Sequence, residues 1–397
     1  MNILIVQIKS FPQRTNSFSW FYTQLTEWLT SRGIPSELYY CYLKIADSGF
    51  ENGLLLPDNV KGFYSPDNIR AISSFIEAKK IKVVLDYSNI ITGNTRKFYE
   101  CLKRKYPDLK LLTMIHNCPD HTMQLKRYEL AEMPLQKTGR IKDRLINTFP
   151  AIYLFLLKQV VWYHNYSAYK TMHGVVVLAP AYIREFANLI RKKDTARIHA
   201  IPNAMRPVES RIPVTQKNKE IIFVGRMAKE KAIPRLLTIW KMIQDRVPEW
   251  HFTIVGDGPE RERCERIIRE EKLQRIHLLE YQMALPLIDR SSILCLSSVI
   301  EGFPTVFTEA MDLGVVPIGF NTFAAIYDMI EDEKTGFIIP DHDYEAYAEK
   351  LVELCKNEKL RIRIATAAQN RSMRYDIEHI GPLWLQLFKQ HHLLEEQ

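Results

Sequence analysis

Short apolar runs alternate with amphipathic stretches along the whole chain. In the first half, runs at 2–8, 37–43, 81–87, 109–116 and 174–179 predict strands, and apolar positions at helical spacing predict helices over 17–32, 67–80, 95–106 and 181–192. Gly33 stands just past the first of these helices, where a glycine is suited to ending it. The second half restarts the alternation. Its strands are predicted at 220–225, 251–256, 276–281, 293–297, 315–320 and 337–340, and its helices at 234–246, 260–272, 305–313, 344–356 and 359–372. Strands that are nearly continuous Val, Ile and Leu, separated by helices, predict parallel sheets covered on both faces. A last stretch, 377–394, carries Leu383, Leu385, Leu387 and Phe388 and is expected to pack back on the first half.

The 397 residues suffice for two domains, and the proline-rich, polar stretch 202–219 is the expected boundary. The fold class predicted is α/β: two Rossmann-like, doubly wound parallel-sheet domains facing a central cleft. Residues 1–205 form the first, 206–372 the second, and 373–397 a helix that crosses back. With 46% hydrophobic and 25% charged residues, the composition excludes a disordered tail, a collagen-like repeat and a multi-span membrane protein. Six scattered cysteines with no C-x-x-C pair argue against a disulfide framework or a zinc site. The first residues lack a basic n-region. The apolar stretch 149–163 is broken by Lys158 and Gln159 and is too short to span a bilayer, so a cytoplasmic location is expected.

Charge is unevenly divided. Residues 1–205 hold 28 Lys and Arg against 16 Asp and Glu, whereas residues 206–397 hold 26 against 30. A basic first half could face anionic lipid, a phosphorylated substrate or nucleic acid, or be ordinary solvated surface.

Chemistry is expected in loops beyond the carboxyl ends of the strands. One is Gly225-Arg226-Met227-Ala228-Lys229-Glu230-Lys231, between a strand and the helix that Pro234 opens. Arg226 and Lys231 there can grip a diphosphate, Arg by its planar fork and Lys as a point charge; the alternative is a solvated basic loop. Another is Ser297-Ser298-Val299-Ile300-Glu301-Gly302-Phe303-Pro304-Thr305, where the helix start offers backbone N–H groups to an anion. Glu301 and Glu309, with seven residues between them, can accept hydrogen bonds from sugar hydroxyls in one pocket. Glu309 is equally suited to an early-helix position by the helix dipole alone. Gly256-Asp257-Gly258 is a lone G-x-G, read as a tight turn and pocket wall. Asp341-His342-Asp343 resembles a metal-binding D-x-D, but an N-cap for the helix at Tyr344 is the simpler reading. His116-Asn117 follows a first-half strand.

Together these segments resemble a retaining glycosyltransferase of family 4, with the two-domain GT-B fold, of the kind that builds bacterial polysaccharides. The resemblance is fullest over 197–340. It rests on Ile201-Pro202-Asn203, Gly225-Arg226 with Lys231, Ile254 to Pro259, the Glu301/Glu309 pair, and the runs 309–317 and 321–340. It implies a retaining, metal-independent transfer of hexose from a nucleotide sugar, UDP-linked, to a glycan or polyprenyl-pyrophosphate-linked acceptor. Arg226 and Lys231 would neutralise the diphosphate, and Glu309 would take the ribose hydroxyls. Glu301 with Gly302, Phe303, Pro304 and Thr305 would hold the donor sugar and phosphate. Tyr281 and Gln282 would edge the base, and His116 would lie near the transferred sugar. No cofactor and no nucleic acid are implied. A peripheral place at the inner face of the cytoplasmic membrane is, with residues 140–163 as an interfacial segment or a core helix.

Three positions depart from the family pattern. Residues 10–16 replace a glycine-rich loop, leaving Thr15 or Asn16 as donors. Pro304 stands where a glycine is frequent, removing an N–H, and Ala204 stands for another glycine. Two other readings of the same fold are a nucleotide-sugar epimerase and a non-catalytic sugar-nucleotide-binding scaffold.

Overall fold

The computed structural model describes residues 1–9, 17–44, 52–60, 62–88, 91–132, 148–208 and 211–394. The chain divides into two compact units, Met1–Arg206 with Ile377–Gln397, and Pro207–Asp376. The first contains β1 (Asn2–Lys9), α1 (Ser17–Ser31), β2 (Glu37–Lys44), β3 (Gly53–Leu55), α2 (Pro66–Ala78), β4 (Ile81–Asp86), α3 (Gly93–Lys105), β5 (Lys110–Ile115), α4 (His121–Glu132), α5 (Pro150–Thr171), β6 (Gly174–Val177), α6 (Pro180–Leu189) and β7 (Ile198–Ala200). Its strands form one parallel sheet in the order β3-β2-β1-β4-β5-β6-β7.

The second unit contains β8 (Glu220–Val224), α7 (Ile233–Ile243), β9 (His251–Val255), α8 (Arg261–Glu270), β10 (Ile276–Leu279), α9 (Leu285–Arg290), β11 (Ile293–Leu296), α10 (Thr305–Asp312), β12 (Val316–Phe320), α11 (Ile326–Met329), β13 (Phe337–Ile339), α12 (Tyr344–Lys356) and α13 (Glu358–Ser372). Its parallel sheet has the order β10-β9-β8-β11-β12-β13. Every residue of β6, β11 and β12 is buried, as their unbroken apolar character requires when helices cover both faces.

The final helix, α14 (Ile377–Gln390), belongs to the first unit. Trp384 is fully buried there, its ring 6.2 Å from Phe21 and 5.8 Å from Tyr22 on α1. Gly381 lies so close to Trp28 that a Cβ would meet its indole at 2.6 Å. Glu378 completes the docking, accepting from the Trp28 Nε1–H at 3.1 Å and pairing with Arg32 at 2.6 Å. All six cysteines are free, and among the described residues no helix is long and apolar enough to cross a membrane.

The main departures from the predicted elements are β3 and β7, the two edge strands, and α4, α5, α9 and α11. Strands of three residues are too short to show a period, and α5 is apolar on more than one side, so no stripe announces it.

Candidate functional site

In both parallel sheets the strand order reverses beside the first strand. In the second unit, β8 is flanked by β9 on one side and β11 on the other. Helices following β8 and β11 leave toward opposite faces, and the carboxyl ends of two such strands frame a ligand crevice. The loops beyond those ends are 225–232 and 297–304, which carry Arg226, Lys231, Glu301, Gly302, Phe303 and Pro304.

The first loop is braced from the neighbouring one. Gly225 N–H donates to Val255 O at 3.0 Å, Met227 N–H to Asp257 O at 2.8 Å, and Glu260 N–H to Met227 O at 2.9 Å. Gly256 and Gly258 both have φ of +148°. A Cβ on Gly256 would stand 2.0 Å from Gly225 O, and one on Gly258 2.5 Å from Met227 O. The G-x-G turn is therefore a buttress that lets two backbones touch. The loop then makes a 3₁₀ turn, Lys229–Lys231, and Ala232 in the left-handed region (φ 46°) redirects it into α7.

That turn swings Lys231 against the second loop, where its ammonium donates to Glu301 Oε1. The same oxygen accepts from Ser298 Oγ at 2.7 Å. Side-chain exposure is 21% for Lys231 and 11% for Glu301, so water screens this pair only partly. Ser297 Oγ donates to Lys231 O at 2.8 Å, and Val299 N–H to Glu230 O at 2.9 Å, so the two loops form one bonded platform. Arg226 projects outward, 69% exposed, with its guanidinium on Glu230 at 2.5 Å. Burial opposes ionisation of Glu230, but its own backbone N–H, the Arg226 guanidinium and the charge of Lys231 outweigh it and hold its pKa below the usual value. Arg226 and Lys231 thus each stand in an ion pair, with Glu230 and Glu301. Each cation faces a carboxylate that an incoming anion must displace.

Beyond Glu301 the chain enters α10 at Thr305. Pro304 occupies the cap and makes no side-chain hydrogen bond to the helix start. Phe303 turns its side chain inward. Its ring is buried edge-on against Tyr375 (centroids 5.4 Å), so it builds the core and only its backbone is available to a ligand. Gly302 is buried beside it, and Glu309 is half-buried on α10. Tyr281 (71% exposed) and Gln282 lie past β10, separated from β8 by β9 and so about 10 Å along the sheet edge.

The Asp341-His342-Asp343 run behaves as a cap. Asp343 accepts from Ala346 N–H at 2.9 Å at the start of α12, and Asp341 pairs with buried Arg235 at 2.8 Å. Among the described residues no group of three His, Cys, Asp or Glu side chains could hold a metal ion.

In the first unit, His116 follows β5 with its ring 4.1 Å from that of Tyr87. Burial pushes its pKa down to about 3, so the imidazole is neutral. Next to it, a cavity of about 130 Å³ opens between β5, α4 and α5, with Thr113, Asn117, His121, Thr122, His164 and Asn165 among its lining. Asp86 lies beneath, fully buried, accepting from Tyr99 Oη at 2.5 Å, Ser88 Oγ at 2.7 Å and Thr113 Oγ1 at 3.1 Å. Burial raises its pKa against those bonds. Sequence reasoning missed this polar cavity, because half its lining comes from α4 and α5, which no periodicity marked. The loop 10–16 lies outside the described residues. Ala204 avoids the left-handed region, so a side chain costs nothing there.

The sequence model of glycosyl transferases group 1 matches residues 207–371. An uncharacterized glycosyltransferase of Haemophilus influenzae is 26% identical over 263 residues, 62% of this chain and 74% of that one. A Campylobacter jejuni α-1,4-N-acetyl-D-galactosaminyltransferase that acts on an undecaprenol-diphosphate-linked glycan is 27% identical over 173 residues, 43% of this chain and 48% of that one. Among solved structures, Anabaena HepE in complex with UDP-glucose superposes with a TM-score of 0.69 at 15% identity, covering 98% of this chain and 100% of that one. That match spans nearly all of the second unit, and the chain has the GT-B fold.

Proposed function

We propose that this chain transfers a hexose from a UDP-sugar to a glycan or lipid-linked glycan acceptor in cell-surface polysaccharide synthesis, with retention at the anomeric carbon, as a member of glycosyltransferase family 4. The observation that carries this reading is the meeting of Lys231 and Glu301 at the carboxyl ends of β8 and β11. The C. jejuni relative acts on a lipid-linked glycan, and HepE was solved with UDP-glucose; both support the choice of substrates.

The diphosphate would displace Glu301 from Lys231 and Glu230 from Arg226, and lie toward the first turn of α10. Glu301, released, would accept hydrogen bonds from the hydroxyls of the transferred sugar, and Glu309 from those of the ribose. Gly302 to Thr305 would contribute backbone N–H groups, Pro304 excepted. Tyr281 and Gln282 would edge the base. The first unit is assigned the acceptor, through the polar cavity under α4 and α5. His116, being neutral, would position a hydroxyl without adding charge.

In the chemical step the acceptor oxygen bonds to the anomeric carbon as the bond to the diphosphate breaks. Attack comes from the face the diphosphate leaves, and a departing phosphate oxygen takes the acceptor proton. Two cations and a helix start would stabilise the negative charge that develops, so no metal is assigned a role. Incubation with a panel of UDP- and GDP-sugars and extracted lipid-linked glycans, with the product anomer read by NMR, tests this. An α-linked product from an α-linked donor supports it, and an inverted product rejects it. Release of a new free sugar from donor alone would mean an epimerase instead.

A further inference from the structure

We propose that the amino-terminal edge of the first sheet holds a phosphate or phosphate-ester anion between Lys110, His173, His199 and His391. Lys110 opens β5, His173 stands just before β6, His199 lies within β7, and His391 directly follows α14. The three strands are neighbours in the sheet. Their register pairs Leu112 with Gly174 and Val176 with His199, which puts Lys110, Gly174 and His199 on one face. A Cβ on Gly174 would stand 3.1 Å from His391 Nε2 and 3.6 Å from the His199 ring, so a glycine there leaves the room that His391 uses. The His199 and His391 ring centres are 6.1 Å apart.

These groups carry donors without acceptors. His173 Nδ1 accepts from Leu111 N–H at 2.9 Å, so the neutral ring has its proton on Nε2, which meets no acceptor among the described residues. His391 Nε2 is buried with no partner, and the Lys110 ammonium makes no hydrogen bond or ion pair among the described residues. Arg197 adds charge, though its guanidinium is occupied by the carbonyls of Tyr169, Met172 and His173. The groups acting on His391 are all basic: His199, Lys110, Arg197 and His392. So are those acting on His173, namely Lys103, Lys110, His391 and Arg197. Burial and then these neighbours push both imidazoles down to about 4. Positive charge gathered this way, with no carboxylate to answer it, is stabilised by an anion through charge-assisted hydrogen bonds. Donors arriving from three strands and a helix end suit a tetrahedral oxyanion, which offers an oxygen to each, better than a carboxylate. A metal cation would be repelled by Lys110 and Arg197. His116 and the polar cavity follow the carboxyl end of β5, at the other edge of the sheet, so this site is separate from them and goes beyond the proposed function.

Calorimetric titration of the full chain with inorganic phosphate and with sulfate, at an ionic strength fixed by chloride, is the test. Sulfate is included because, unlike phosphate, it keeps its charge between about pH 6 and about pH 8. Saturable binding of both ions is expected, with sulfate bound about threefold or more tighter at the lower pH, as the imidazoles take up protons with the anion. Lys110→Glu places a carboxylate among the histidines and is expected to weaken both ions at least about tenfold, whereas Lys110→Arg is expected to retain them. Both variants are expected to melt cooperatively in chloride, as wild type does. Lys231→Ala is expected to leave this binding in place, so failure of this site and failure of the donor site are read separately. Glycerol phosphate tells the sources apart: an ester bound as tightly as inorganic phosphate supports a phosphorylated ligand, and an excluded ester supports the free ion. Wild type that binds neither ion, or Lys110→Glu that binds both as well as wild type, overturns the proposal. So does binding that Lys231→Ala removes, which would give the anion to the donor loops.

Discussion

The ammonium of Lys231 reaches the carboxylate of Glu301 across 70 residues of sequence, joining the loops that follow β8 and β11. Ser298 holds the same carboxylate oxygen. This pair makes Glu301 a competitor for the cation that a diphosphate would need, and it sets the first prediction. Glu301→Gln is expected to tighten UDP binding roughly threefold to tenfold, because Lys231 no longer has to leave a charged partner. Transfer is expected to fall at least about tenfold in the same variant, because an amide accepts sugar hydroxyls less strongly than a carboxylate. Calorimetry with UDP and initial rates with the full donor separate the two effects. Parallel weakening of both would mean that Glu301 only holds the loop.

Gly256 is expected to be intolerant of any side chain. Its Cβ would collide with Gly225 O rather than with a movable side chain. Gly256→Ala should therefore destabilise the protein by about 3 kcal/mol or more, and displace Arg226 with the loop. Gly33 offers the contrast. It has φ of +79° and open space around it, so Gly33→Ala should cost about 1 kcal/mol through torsion alone. Denaturant melts of the two variants check the difference.

Asp343→Ala should lower stability by about 1 kcal/mol through loss of the α12 cap. Transfer activity and its response to added divalent cations are expected to stay as in wild type. A variant that loses activity and regains it with manganese would restore the metal reading of Asp341-His342-Asp343.

Acid should weaken the first unit. Burial, aided by the nearby charges of Lys110 and Arg197, pushes His173 and His391 down to about 4 from 6.5. Their folded pKa values lie below the unfolded one, so the unfolded chain binds more protons across this window. The contribution is fully present above pH 6.5 and is lost as pH falls toward 4. Thermal midpoints recorded from neutral pH downward should therefore decline, and His391→Asn should flatten the decline. An unchanged slope in that variant would show that His391 titrates normally.

Much of the fold was legible because parallel sheets bury both faces, which leaves unbroken apolar strands such as Ile293–Leu296. The two loops of the site were legible for a related reason, since chemistry gathers where such strands end. Their pairing was not. Spacing places Lys231 and Glu301 on neighbouring loops, but only the 3₁₀ turn and left-handed Ala232 decide that the ammonium meets the carboxylate. The inward place of the Phe303 ring was not legible either, because the partner it packs on, Tyr375, lies 72 residues on in the sequence. The segment 140–163 allowed either an interfacial or a core reading. Its part up to 147 lies outside the described residues, and the apolar face over 149–163 is exposed.

Titration of UDP-sugars into wild type, Arg226→Ala and Lys231→Ala measures the donor site most directly. Saturable binding to wild type is expected, weakened at least about tenfold in each variant, as loss of one charge-assisted hydrogen bond requires. Wild type that binds no nucleotide sugar, or binding that both substitutions leave untouched, would contradict it.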